Sequence, residues 1–283
     1  MEAAIVIDKL SKSYSGFSLK DISMTLPSGS VLGLVGENGA GKSTTLKLIM
    51  NTIRRDSGSV QVLGVDNKSN AFSNVKEDIG VVLDEAYFPE VITPKNVNEI
   101  MKYTYRNWDT ACFKSYLDRF DLPKNKRFKD FSRGMKMKLA IAVALSHQPK
   151  LLLLDEATSG LDPIVRDEII DIFNDFTREE DHSILISSHI VSDLEKICDY
   201  VAFLHKGKLL FCEEKDRILE SYAVLKLTQQ ELEAIPPEAI CAKKDGKFGV
   251  ELLVKRAMIS SAFPTEHSTL EDVILLLAKE ERT

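Results

Sequence analysis

The sequence lacks most of what a secreted, membrane-spanning or nucleic-acid-coating protein needs. Its four cysteines, Cys112, Cys198, Cys212 and Cys241, are scattered and form no C-x-x-C pair. That excludes a thiolate metal cluster of ordinary spacing and points to free thiols in a reducing compartment. No apolar run approaches the roughly 20 residues needed to cross a bilayer; pieces such as "LLLL" at Leu151–Leu154 are short. The opening stretch, "MEAAIVIDKL", has no basic segment followed by a long apolar core, so no secretory leader is expected. Basic residues do not dominate: 37 Lys and Arg face 43 Asp and Glu, for a formal net charge of −6. Non-specific binding to nucleic acid is therefore disfavoured, and no nucleic-acid partner is expected. Repeats and low-complexity segments are also missing. What remains is 44% hydrophobic and 28% charged over 283 residues, ordinary for one large globular domain or two small ones.

Glycine is not abundant either, yet four of the 14 fall between Gly33 and Gly41, in "GLVGENGAGKSTT". The preceding "VLGLV" suits a buried strand and the following "KSTTLKLIM" suits a helix, with Leu46, Ile49 and Met50 on one side. The glycines thus occupy a strand-to-helix turn. Gly36, Gly39 and Gly41 permit backbone angles that a side chain would block, letting several N–H groups face one hollow. The positive end of the helix dipole adds to the attraction, so an anion is the natural occupant. The spacing G-x-x-x-x-G-K-S is the Walker A pattern, in which Lys42 reaches the β- and γ-phosphates and the Ser43 hydroxyl ligates Mg²⁺.

The rest of the chain alternates strands and helices, the mark of an α/β fold. "AIVIDKL" and "FSLKDISMTL" read as strands, as do "SGSVQVLG" and "IGVVLDE". Residues 88–150 look mostly helical. "KLLLLDEATSGLDP" is a continuous apolar strand ending in acids, buried on both faces as in a parallel sheet. "VRDEIIDIFNDFTREE" is an amphipathic helix, "HSILISSH" a further buried strand, and "ICDYVAFLHKGKLLFCEE" two strands joined by a Lys-Gly turn. From about residue 218 the pattern changes to a small α+β appendage, ending in the helix "TLEDVILLLAKEE" capped by Ser268 or Thr269.

A second phosphate motif agrees with the first. In nucleotide-binding α/β folds the ends of central strands meet the ligand. Asp155 would then hold Mg²⁺ beside Ser43, and Glu156 would polarise a water for attack on the γ-phosphate. The plainer alternative is two acids capping the next helix.

With these motifs in this order the chain resembles the nucleotide-binding subunits of ABC transporters. The resemblance covers residues 1 to about 215. Tyr14 in "LSKSYSG" is similar to the aromatic that stacks on adenine. "GENGAGKST" is similar to Walker A, implying nucleotide contacts from Gly36, Asn38, Gly39, Ala40, Gly41, Lys42, Ser43 and Thr44. "FSRGMKMKL" stands where the family signature belongs, with Ser132 and Gly134 matching. "LLLLDE" is similar to Walker B, "SGLD" to the D-loop ending at Asp162, and "SSH" to the switch histidine, His189. The resemblance implies a P-loop NTPase core with an N-terminal antiparallel β subdomain, an inserted helical subdomain at about 88–150, and an ATPase domain over 1–217. Residues 218–283 would be a small C-terminal α+β extension. It further implies ATP and Mg²⁺ as cofactors, catalysis by Glu156, His189 and Lys42, and two subunits pairing head to tail around two ATP. The second subunit would be a copy or a related ATPase. The other implied partner is an integral-membrane transporter subunit, which places the chain at the cytoplasmic face of the membrane.

Some positions depart from the family pattern: Met135 in the signature, Ala157 where proline is commoner in Walker B, and two that bear on the site. Where a glutamine usually ends the strand "IGVVLDE", Asp84 stands, an acid able to bind Mg²⁺. In "SRGMK", Arg133 replaces a glycine, available either to bind phosphate across the interface or to sit solvated at the surface. Such variants, and the terminal "TLEDVILLL", resemble small Gram-positive exporters with separate ATPase and membrane subunits. Tyr87, Phe88 and Val91 either line the groove for the membrane subunit or fill the helical subdomain's own core. Two competing readings stay open: a soluble ABC ATPase acting on ribosomes or nucleic acid, and a module that uses ATP only to dimerise.

Overall fold

The structure, a computed structural model, describes residues 2–84, 88–246, 249–260, 263 and 268–280. In chain order, β1 (Ala3–Tyr14), β2 (Phe17–Pro27) and β3 (Val31–Val35) lead to α1 (Lys42–Ile49). Then come β4 (Ser57–Val62), β5 (Val65–Asp66), the single turn α2 (Phe72–Val75) and β6 (Ile79–Val82). Three helices follow: α3 (Pro94–Thr104), α4 (Thr110–Arg119) and α5 (Arg133–Leu145). The chain returns through β7 (Leu151–Asp155), α6 (Pro163–Phe176), β8 (Ser183–Ser188), α7 (Val191–Ile197), β9 (Tyr200–His205), β10 (Lys208–Glu214) and α8 (Lys215–Ser221). It ends with β11 (Tyr222–Leu227), α9 (Gln229–Leu232), β12 (Ile240–Gly246), β13 (Gly249–Lys255) and α10 (Leu270–Glu280).

The continuous apolar strands sort their side chains by alternation. Leu32, Leu34, Leu151, Leu153, Leu185, Ala202 and Leu204 face one core, shared with α1 and the antiparallel β1–β2–β4 sheet. Val31, Val35, Leu152, Leu154, Ile184, Ile186, Val201 and Phe203 face the other, shared with α5, α6 and α7. These strands form a six-stranded sheet of order β10-β9-β3-β8-β7-β6. It is parallel from β9 to β6, with β10 added antiparallel through the Lys206–Gly207 turn. A continuous run buried on both faces is what a central parallel sheet demands.

The strand order positions the site. β8 lies between β3 and β7, with β6 beyond β7. Val35 is level with Ser188, Asp155 with Ser187, and Val82 with Leu154. Residues following β3, β8, β7 and β6 therefore emerge side by side along one edge, the usual place for a ligand in such folds.

Each helix of the segment between β6 and β7 has its own start signal. Thr93 and Asn96 make a reciprocal capping box with Pro94 at the first helical position, Asp109 caps α4, and Ser132 caps α5. The sequence reading left Phe88 and Val91 between groove and core. Phe88 packs edge-on against Phe128, ring centroids 5.4 Å apart, and joins the core. Val91 is 69% exposed. Tyr87 lies outside the described residues.

The C-terminal part forms a three-stranded antiparallel sheet, β11-β13-β12. One face, with Ala223, Leu225, Leu252 and Val254, makes its own small core. The other, with Val224, Ala242 and Leu253, joins the main core together with Leu270, Val273 and Ile274 of α10. Thr269 is the cap of α10, exchanging hydrogen bonds with Asp272. Ser268 instead accepts a hydrogen bond from the Val224 N–H.

Candidate nucleotide-binding site

The loop after β3 keeps its shape through two different uses of glycine. Gly39 and Gly41 have φ of +83° and +112°, the left-handed region that favours glycine. Gly36 does not need such an angle, contrary to the sequence expectation. A β-carbon there would fall 2.3 Å from the Leu204 carbonyl oxygen, so close packing selects glycine. Gly41 caps α1 without any side-chain cap, and no acid stands in the first turn. The helix start thus keeps its N–H donors unclaimed by side chains, which fits an anion. Ser43 is exposed at this start, with Thr44 half-buried behind it, while Glu37, Asn38 and Gly39 are exposed and Ala40 is buried.

Lys42 is the charge of this loop. It is buried, with Nζ 2.7 Å from the Gly36 carbonyl oxygen and 3.1 Å from Glu156 Oε1. The other carboxylate oxygen of Glu156 lies 2.6 Å from His189 Nδ1. A carboxylate only accepts, so Nδ1 carries the hydrogen and Nε2 is left for another partner. The His189 backbone N–H also donates to this oxygen, at 3.4 Å. Lys42, Glu156 and His189 are thus brought together from the segments that follow three strands, as the strand order requires. Glu156 has φ +52°, a conformation uncommon for a non-glycine residue and frequent at functional sites.

Asp155 is buried, and its Oδ1 accepts from the Ser187 hydroxyl at 2.6 Å. The Ser187 hydroxyl also accepts from the Glu156 N–H at 3.2 Å. Sequence reading missed Ser187, although it stands two residues before His189 on a recognised strand. Asp155 and Ser43 offer a carboxylate and a hydroxyl, hard oxygen donors of the type Mg²⁺ takes.

The surroundings of Tyr14 were only partly legible. Tyr14 ends β1, is 47% exposed, and has Lys12 Nζ 5.5 Å from its ring centroid. Its hairpin partner Phe17 reaches the phosphate loop: a β-carbon on Gly41 would fall 2.9 Å from Phe17 Cζ. Gly207 closes the same corner, donating its N–H to the Ala40 carbonyl and accepting from the Lys20 N–H. Neither Phe17 nor Gly207 carries a motif, so packing alone reveals them.

The remaining predicted residues lie at two helix starts. Ser132 caps α5, its hydroxyl accepting from the Met135 N–H at 3.3 Å. Gly134 follows within the first turn. Asp162 caps α6, accepting from the Val165 N–H at 3.1 Å. Asp84, expected beside the metal, lies 3.0 Å from Arg133 Nη2. Two of the residues that break the family pattern, Asp84 and Arg133, are partners of each other within the chain.

A family model described as ABC transporter matches residues 19–159. The ABC transporter ATP-binding protein YtrB of Bacillus subtilis (strain 168) is 33% identical over 224 residues, 79% of this chain and 76% of that protein. The chain belongs to the ATP-binding proteins of ABC transporters. The lantibiotic transport ATP-binding protein SrtF of Streptococcus pyogenes is 35% identical, over 74% of this chain and 90% of its own. A solved ATP-binding subunit of an ABC transporter superposes with a TM-score of 0.68 at 26% identity, covering 76% of this chain and 91% of that one. The P-loop core, the antiparallel β-sheet and the helical insertion are thus the architecture of ABC ATP-binding cassettes. In this cassette, no helix among the described residues is long and apolar enough to cross a membrane.

Proposed function

We propose that the chain binds and hydrolyses MgATP as the motor of an exporter. It pairs around two nucleotides and drives a separate integral-membrane subunit from the cytoplasmic face. The observation that carries this reading is the carboxylate of Glu156 held between Lys42 and His189 at the ends of adjacent strands. Residues 1–217 would supply the ATPase and 218–283 the extension.

Lys42 would exchange its contact with Glu156 for β- and γ-phosphate oxygens, a transfer between two anions that keeps the ammonium paired throughout. The uncapped start of α1 would hold phosphate oxygens through N–H groups from Gly39 to Thr44, including those of Ala40 and Gly41. Asn38 lies in the same loop, and Tyr14 would stack on the base. Ser43 and Asp155 are the residues that would hold Mg²⁺, which when bound neutralises charge on the transferred phosphoryl group. Asp84 would join them only after leaving Arg133. Glu156, once Lys42 has turned away, has a free oxygen with which to orient a water. His189 would hold Glu156 through Nδ1 and turn Nε2 to the γ-phosphate.

Ser132, Gly134 and Asp162 would act across the pair. Gly134 has neither a left-handed φ nor a steric conflict: a β-carbon there would meet only Val165 and Leu161 at 3.8 and 4.0 Å. Nothing within one chain requires glycine, which supports close approach by something outside it. The lantibiotic transport relative and the "SRGMK" variant favour the exporter reading.

Replacing Glu156 with Gln tests the proposal. The variant should bind ATP, lose turnover, and accumulate as a dimer under MgATP but not under ADP. Full turnover in the variant would overturn the catalytic assignment; a monomer at saturating ATP would overturn the pairing.

A further inference from the structure

Arg133 is the first residue of α5, yet its guanidinium does not point into solvent alone. Nη2 lies 3.0 Å from Asp84 Oδ1, at the end of β6, 49 positions earlier. The same guanidinium covers Gly160, in the loop between β7 and α6: a β-carbon there would fall 2.6 Å from Nη1 and 2.8 Å from Cζ. One side chain therefore ties the signature segment to two loops of the strand-end edge. Three segments proposed to serve nucleotide meet at it.

The contact is weak by construction. Both side chains are about half-exposed, 54% for Arg133 and 52% for Asp84. Exposed pairs of this kind contribute little and are screened by salt. A strong tie would lock the segment; a weak one can be exchanged. A terminal phosphate offers more negative charge and more acceptor oxygens than one carboxylate, and arginine matches it in the same forked geometry.

We propose that Asp84 and Arg133 form a reversible clasp that holds the signature segment to its own chain until the terminal phosphate of ATP on a second copy draws Arg133 away. The clasp rests on the pairing proposed above and adds to it an intramolecular competitor. Asp84 acts here as a brake on pairing, and Arg133 as the group that both brake and phosphate use. Without nucleotide the clasp neutralises two charges that would otherwise face each other unpaired at the strand ends. With nucleotide, Asp84 is released on the side of its own site.

The test uses the full chain carrying Glu156→Gln, so that hydrolysis does not enter, and reads the ATP concentration giving half-maximal dimer by light scattering. Asp84→Asn added to this background should lower that concentration about two- to fivefold, the range expected for losing one exposed ion pair. Arg133→Gln should raise it. Asp84→Asn combined with Arg133→Gln should match Arg133→Gln alone, because the brake acts only through the arginine. The benefit of Asp84→Asn should also shrink as salt rises from about 0.05 M to 0.5 M, where exposed charges are screened. Equal effects of Asp84→Asn with and without Arg133, or no effect, would overturn the clasp. If the Glu156→Gln parent fails to pair at any ATP concentration, the pairing itself is wrong and the clasp falls with it.

Discussion

Lys42 and Glu156 form a buried ion pair, Nζ to Oε1 3.1 Å, with side chains 5% and 11% exposed. Each is a charge partner of the other. Removing one member of such a pair leaves the other uncompensated, which costs more than the pair contributes. Lys42→Ala should therefore destabilise the protein by about 1–3 kcal/mol, besides losing nucleotide. Adding Glu156→Gln should recover part of that loss, because the orphaned charge is gone. Thermal melts of the two single variants and the double variant check this. Strict additivity would show that the pair is not coupled.

Gly134 separates folding from pairing. Its site has room for a methyl group and no left-handed angle. Alanine is the better helix former by about 1 kcal/mol in a helix interior, and less at a first turn. Gly134→Ala should leave the melting temperature unchanged or slightly raised. It should also weaken ATP-dependent pairing at least tenfold if the backbone there meets a phosphate. Unfolding of the variant would point to a packing role that the free chain does not display.

Phe88 and Val91, both expected either to line a groove or to fill the core, differ in burial. Phe88 contacts Phe128 edge-on and packs, half-buried, against the core, whereas Val91 stands out from it. Phe88→Asp should lower stability by about 1–2 kcal/mol through lost packing and a half-buried charge. Val91→Asp should leave the isolated chain as stable as before and, if the proposed membrane subunit docks there, weaken that association. Urea midpoints measure the first effect and co-purification of the reconstituted pair the second. Equal destabilisation by both would place Val91 in the core as well.

Much of this site was readable before the fold was known, because each of its segments carries a signature that is local in sequence, even though the segments meet only in the fold. The loop from Gly36 to Thr44 is a strand, a turn and a helix start, each with its own residue signature. Asp155 and Glu156 end an apolar run whose alternation between two cores is set by a period of two. Ser187 was hidden in the same way Phe17 and Gly207 were. Each acts through a neighbour brought near by sheet order rather than by spacing. The Asp84–Arg133 contact spans two segments whose individual anomalies were visible, although no local pattern announces that they meet. Gly36 was recognised for the wrong physical reason: an adjacent carbonyl oxygen, not a backbone angle, excludes a side chain there.

His147 is a buried titratable group outside the candidate site. It follows α5, is fully buried, and stacks on Tyr105 with centroids 4.0 Å apart and planes 3° from parallel. Its Nδ1 donates to the Glu77 carbonyl oxygen at 3.0 Å, and Nε2 has no hydrogen-bond partner among the described residues. Burial disfavours the imidazolium and holds this histidine below its usual range, an effect only partly offset by the Glu77 carbonyl. The unfolded chain titrates near 6.5. Below that pH the unfolded state takes up a proton that the folded state resists, so stability is full above about pH 6.5 and declines as pH falls toward the lower folded value. His147→Asn keeps a donor toward Glu77 and removes the titration. The variant should lose some stability at pH 8 with the stacking contact, yet show a flatter decline in urea midpoint between about pH 6.5 and 5 than the parent. Parallel pH profiles for the two proteins would assign the acid sensitivity to other groups.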